Sequence, residues 1–239
     1  MTEPLFREDA YLKSCEATVT GVNDRGGIVL DRTVFYPTGG GQPGDSGRLR
    51  LADGRQVAIA TAVKGDGPDE VVHVPAEGET APAVGDTVTA EIDWDRRYRH
   101  MRIHTCLHLL SAVLPYPVTG GQIAADKGRL DFDLPEMPMG KEELTEKLRD
   151  LIARDDAVGT RWISDQELEA SPDLVKTMSV KPPTGAGQVR LVEVEGCDLQ
   201  PCGGTHLKRT GEIGDVFVRK IEKKGRQNRR VVVAFADGA

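Results

Sequence analysis

WDRRYRHMRIHTCLHLLSAVL, residues 94–114, is where the periodicity of this chain changes. Apolar Ile103, Leu107, Leu110 and Leu114 recur at helical spacing, and Pro115 with Pro117 ends the run. The pattern predicts a helix with Asp95 as its N-cap. His104 and His108 stand one position on from Ile103 and Leu107, about 100° round the helix, at the edge of its apolar face. Two imidazoles four apart project from one side, one turn above the other, within reach of a single metal ion.

On the N-terminal side the sequence reads as short strands punctuated by turns. CEATVTGV, GGIVLD, RTVFY, GRLRL, RQVAIATAV, EVVHV and DTVTAEID are β-branched runs with partial alternation, separated by Gly/Asp/Pro clusters such as PTGGGQPGDSG. Spacing this regular predicts a small β-barrel or sandwich over residues 1–94. On the C-terminal side a second helix is expected over roughly 141–156, with Leu144, Leu148, Leu151 and Ile152 on one face. QIAADKGRLDFDL reads as a strand pair around a turn. A short helical piece near 165–170 precedes the strand-like runs QVRLVEV, GDVFVRKIEKK and RRVVVAFA. Helices over an antiparallel sheet make residues 95–239 a second, α+β domain.

About ninety residues after the histidine pair comes Cys202-Gly-Gly-Thr-His206. Adjacent glycines exclude a helix there and let a loop turn tightly enough to aim both end residues inward. Three of the five histidines in the chain fall in these two motifs. His104, His108, Cys202 and His206 together form a His₃Cys set suited to Zn²⁺. A metalloprotease is disfavoured, because Thr105, Cys106 and Leu107 stand where that pattern needs a glutamate base. Four protein ligands are usual for structural zinc, whereas catalytic sites keep a position open. The residues alone permit a zinc that takes part in chemistry and a zinc that only shapes a pocket.

The chain has 239 residues, 38% hydrophobic and 29% charged. No run approaches eighteen uncharged apolar residues and the N-terminus lacks a signal-peptide core, so a cytoplasmic protein with no membrane association is expected. The four cysteines (15, 106, 197 and 202) have no framework spacing. Cys197 reads as a buried strand-end thiol, and Cys106 as a neighbour that could compete for metal.

The net charge of −7 conceals an asymmetry: residues 1–94 carry 8 basic and 16 acidic side chains, whereas 207–230 carry nine basic and three acidic. Lys208, Arg209, Arg219, Lys220, Lys223, Lys224, Arg226, Arg229 and Arg230 therefore form a candidate nucleic-acid surface. Arg96, Arg97 and Arg99 are its expected extension.

HTCLHLL with CGGTH, followed by TGEIG and a basic strand, resembles the editing domain of alanyl-tRNA synthetases and the free-standing alanyl-tRNA editing proteins, the AlaX family. FYPTGGGQPGDSG at 35–47 resembles the glycine-rich loop of the barrel that precedes this domain, and VTGGQIAADKGRLDF is similar to the stretch between first helix and sheet. The resemblance spans residues 35 to 230, with its motifs in the expected order. It implies a trans-editing hydrolase that cleaves the ester of mischarged tRNA(Ala), Ser-tRNA(Ala) first and Gly-tRNA(Ala) second. It also implies zinc held by His104, His108, Cys202 and His206. No adenylate-binding signature is present, so the expected substrate is tRNA already charged.

The backbone amides of Gly203 and Gly204 are candidate oxyanion donors. Thr119, with Gln122 behind it, is the candidate reader of the serine hydroxyl. The loop Gly39-Gly40-Gly41-Gln42 is expected to reach over the pocket to the acceptor end, with Gln42 as its polar contact. Two other readings stay open, an inert zinc-stabilised tRNA-binding module and editing of another mischarged tRNA. A monomer is the expected state.

Overall fold

A computed structural model describes residues 1–67, 69–178 and 187–236. It falls into two compact units, Met1–Tyr98 and Arg99–Ala239.

The first unit holds strands β1 (Glu3–Pro4), β2 (Ser14–Val22), β3 (Ile28–Leu30), β4 (Arg32–Thr33), β5 (Gly47–Leu51), β6 (Gln56–Lys64), β7 (Val71–Pro75) and β8 (Thr87–Ile92). Six of them close a barrel in the order β2-β3-β7-β6-β5-β8. The alternation in the sequence is what builds it. In β5, Leu49 and Leu51 face the core while Arg48 and Arg50 face outward, and Arg48 pairs with Glu91 of β8 at 2.6 Å. Closure leaves no unpaired edge for another chain to extend. RTVFY behaves differently from its neighbours. Only Arg32–Thr33 pairs, parallel to β1, and Val34, Phe35 and Tyr36 drop into the barrel core.

The glycine-rich segment that follows is laced in place and is not a loose hairpin tip. Gly39 and Gln42 exchange backbone hydrogen bonds of 3.1 and 2.9 Å, with Gly40 (φ 57°) and Gly41 (φ 84°) supplying the left-handed turn. Thr38 N–H donates to Ala62 O at 2.9 Å and the Tyr36 hydroxyl to Gly39 O at 2.8 Å. Asp45 accepts the Tyr36 amide at 2.6 Å and is gripped by Arg97, which also donates to Ala10 O and Val34 O. Arg97 is fully buried, so it is a structural clamp within this unit and not part of a tRNA-facing surface.

Helix α1 (Trp94–Val113) runs from the first unit into the second. Its cap is Asp93, whose carboxylate accepts the Arg96 amide at 3.1 Å; Asp95, the expected cap, lies inside the first turn. The second unit continues with β9 (Val118–Ile123), β10 (Lys127–Asp133), α2 (Lys141–Ala153), β11 (Val158–Ser164), α3 (Asp165–Glu169), β12 (Gln188–Val194), β13 (Asp198–Pro201), β14 (Val216–Lys223) and β15 (Asn228–Phe235). An antiparallel sheet orders β14-β15-β10-β9, and a second one β11-β12-β13. The architecture is α+β, as the sequence predicts.

Ile103, Leu107 and Leu110 of α1, and Leu114 just past its end, are buried, each stabilising by about 1.5–3 kcal/mol. The helix comes down on β10 at Gly128, where an added Cβ would lie 2.4 Å from Ile103 Cγ2. Only glycine admits that approach. Helix α2 buries Leu144, Leu148 and Ile152, and its Thr145 hydroxyl accepts the Val218 amide of β14 at 2.9 Å.

Candidate metal centre

Helix α1 and the loop after β13 bring His104, His108, Cys202 and His206 together, with one ligand atom of each within 4.8 Å of every other. Cys202 Sγ lies 3.5 Å from His104 Nε2 and 3.3 Å from His206 Nε2. The three imidazoles are buried and the cysteine half-buried. Four soft and borderline donors converging on one point are what a tetrahedral ion requires.

A second layer fixes the rings. His108 Nδ1 lies 2.9 Å from Asp198 Oδ2, which leaves Nε2 as its ligand atom. His206 Nδ1 lies 3.2 Å from Thr105 Oγ1, itself the acceptor of the Leu207 amide. Gln200 Nε2 donates to Asp198 Oδ2 at 2.7 Å and to Ser111 Oγ at 3.0 Å. The Gly204 amide donates to Cys202 Sγ at 3.4 Å. Asp198, Gln200 and Cys202 share one side of an extended segment, because alternate residues of a strand face the same way. That alternation is legible in DLQPC, although no metal or catalytic motif marks Asp198 or Gln200 there.

The local electrostatics suit a metal. Burial would raise the Cys202 thiol, yet His104 and His206 hold it well below its ordinary value, towards thiolate. Burial, with His104 beside it, keeps His206 well below the usual imidazole range and so neutral. For His108 burial opposes the charge, but the bond to Asp198 and the Cys202 sulfur prevail and push its pKa up to about 9. Asp198 is also buried, and His108 and Lys176 bring its carboxyl down to about 2. Cys106 sits between the two helix ligands yet is fully buried, and burial pushes its thiol up to about 12. It does not join the cluster and is no competitor for the ion.

Family comparisons agree with this geometry. The model described as "Threonyl and Alanyl tRNA synthetase second additional domain" matches residues 189–232, and that of "tRNA synthetases class II (A)" matches 9–96. An alanyl-tRNA editing protein AlaX-M of Methanosarcina mazei is 41% identical, covering 100% of this chain and 98% of the relative. The chain belongs to the alanyl-tRNA editing proteins of the AlaX-M family. Its counterpart in Saccharolobus solfataricus is 34% identical over 97% of this chain and 98% of its own length. An alanine–tRNA ligase of Pyrobaculum calidifontis is 36% identical over 93% of this chain, which spans only 25% of that ligase.

Other expected site residues of this AlaX-M relative fall in varied places. Gly203 is exposed, with open space where a side chain would sit, whereas Gly204 is buried and its amide is turned to sulfur. Thr119 donates to Asp131 O at 3.1 Å and accepts from Asn228 Nδ2 at 2.8 Å. Gln122 is exposed and accepts from Arg129 at 3.2 Å. Gln42, expected as the glycine loop's polar contact, is fully buried.

The residues of the basic strip differ in their surroundings. Arg229 is buried and folds back on the carbonyls of Gly225 and Asn228. Arg230 is engaged by Asp131, Arg209 by Asp155, and Lys220 and Lys224 by Glu222. Arg219, Lys223 and Arg226 are exposed and make no ion pair among the described residues. Arg99 donates to Ala125 O at 2.7 Å, and Arg96 to Gly44 O at 2.7 Å. No helix is long and apolar enough to cross a membrane among the described residues.

Proposed function

We propose that this protein is a cytoplasmic trans-editing hydrolase that removes the amino acid from mischarged tRNA(Ala), Ser-tRNA(Ala) first and Gly-tRNA(Ala) second. The observation that carries the reading is the convergence of His104, His108, Cys202 and His206 in a chain matching AlaX-M proteins along its whole length. Residues 1–94 are assigned as a barrel domain that presents the glycine loop, and 95–239 as the zinc-binding editing domain.

The donor set and its outer layer fit Zn²⁺. Bound zinc would supply a Lewis acid beside the ester, or, with all four positions filled by protein, brace the pocket. The rest falls to the chain itself. Water adds to the ester carbonyl, and the tetrahedral oxyanion collapses with release of the ribose oxygen, yielding free amino acid and tRNA. The oxyanion needs a donor already in place. Gly203, exposed beside Cys202, is the residue for this, since the Gly204 amide serves the sulfur.

Serine is distinguished from alanine by one hydroxyl. A site whose polar atoms would be left unpaired by alanine can discriminate by about 10⁴-fold. Thr119, oriented by its bonds to Asp131 O and Asn228, is the hydroxyl we assign to this task. Arg219, Lys223 and Arg226 are the first choices for phosphate contact.

The test is deacylation of Ser-, Gly- and Ala-tRNA(Ala) with and without a chelator. Release of serine with alanine retained is expected, and inertness of the metal-loaded protein on all three overturns the reading. Thr119→Val keeps the shape and removes the hydroxyl; undiminished serine release would remove Thr119 from the site.

A further inference from the structure

Asp198 touches the metal cluster through one oxygen and something else through the other. Its side chain is fully buried, and its Oδ2 serves His108 Nδ1 and Gln200. Its Oδ1 is taken by the ammonium of Lys176, the one partner of that atom among the described residues. A carboxylate in this position could otherwise rotate about its own axis and present either oxygen to the imidazole. Pinned at both ends, it presents one.

Lys176 is itself held. Its carbonyl accepts the Val118 amide at 2.8 Å, and the Met178 amide donates to Val118 O at 2.8 Å, so the backbone on both sides is clamped to the first residue of β9. Only about a quarter of its side chain is exposed. Surface lysines spend their ammonium in water; this one reaches inward from a fixed base to a buried carboxylate. The chain thus carries a connected series from β9 through Lys176 and Asp198 to His108. Thr119, the residue after Val118, sits at its far end.

We propose that Lys176 is a positioning residue of the metal centre, acting through Asp198 to hold the His108 ring in the tautomer and orientation that present Nε2 to Cys202, His104 and His206. The inference rests on the zinc reading above. Outer partners of metal-bound histidines commonly govern affinity by about ten- to a hundredfold. Lys176 would be one step further out than is usual, and the same connection would make the placement of β9 and of the metal interdependent.

The test uses full-length Lys176→Met, which keeps the stem and removes the ammonium, alongside Asp198→Asn. Zinc affinity is read by competition with a chromogenic chelator, and the His108 tautomer by ¹⁵N shifts of the zinc-loaded protein. Lys176→Met is expected to weaken zinc about tenfold and to move the His108 ring resonances, with Lys176→Arg restoring both in part. Asp198→Asn should do at least as much. Should Lys176→Met not fold, Lys176→Gln carries the same measurement. A wild-type protein that binds no zinc sinks the zinc reading and this inference with it. Wild-type zinc binding with unchanged affinity and unchanged His108 resonances in the Lys176 variant overturns this inference alone.

Discussion

Asp131 stands directly opposite Arg230 in the register of β10 and β15, and the two meet through paired contacts of 2.7 and 2.9 Å. The same carboxylate takes Arg129, and burial, which would raise it, is outweighed by the two guanidinium groups that hold it below the usual range. A residue that looks in the sequence like part of a cationic strip is therefore neutralised by its neighbour across the sheet.

From this follows an ordering of the basic side chains. Lys223→Ala and Arg226→Ala should each weaken tRNA binding and reduce the slope of log affinity against log salt by about 0.7–0.9. Arg230→Ala should leave that slope within error. Filter-binding titrations over a salt series decide it, and equal slope changes for all three would restore the continuous strip.

Zinc affinity should depend on pH through His108. Metal-free protein holds a proton on this ring below about 9, and an ion taking Nε2 must displace it. Raising the pH towards about 9 therefore favours binding, and the gain levels off above. Chelator competition across a pH series would show affinity rising with pH; a flat profile would contradict it.

His73 should make the barrel sensitive to acid. It is fully buried between Thr33 Oγ1 at 2.8 Å and Ile28 O at 3.0 Å, and burial lowers its pKa from 6.5 to about 4. Because the folded value is depressed, its contribution is fully present above pH 6.5 and is lost as pH falls towards 4. The unfolded chain binds the proton first. The loss amounts to about 3 kcal/mol on an order-of-magnitude reckoning. Urea unfolding at a series of pH values should show it, and His73→Gln should flatten the acid slope even though it costs stability at neutral pH.

Gly128→Ala and Gly203→Ala should separate packing from chemistry. The first drives a methyl to 2.4 Å from Ile103 Cγ2, next to His104, and is expected to cost about 1–3 kcal/mol and to weaken zinc. The second meets open space, so thermal stability should be unchanged, and any defect should appear in deacylation. Loss of stability from the second variant would mean the loop is packed more tightly than its surroundings indicate.

Residue spacing was enough to place α1, the barrel strands β2, β3, β5, β6, β7 and β8, and the two donor pairs His104/His108 and Cys202/His206, because each is a local property; that the pairs meet is not. Alternation and the 3.6-residue turn state which side a residue faces, and His104 with His108 need only one helix to become neighbours. Strands β11 and β13 escaped notice: β11 exposes most of its side chains and β13 has four residues, so neither carries a usable period.

What faces a given side chain is another matter. Asp198 meets His108 across ninety residues and Lys176 across twenty-two, Asp45 claims Arg97 across fifty-two, and Asp131 cancels Arg230 across ninety-nine. Local residue order sets the chemistry of the donors and the elements that carry them. Register and packing, which depend on how distant segments are brought together, decided which charges are spent internally and which are left for a ligand.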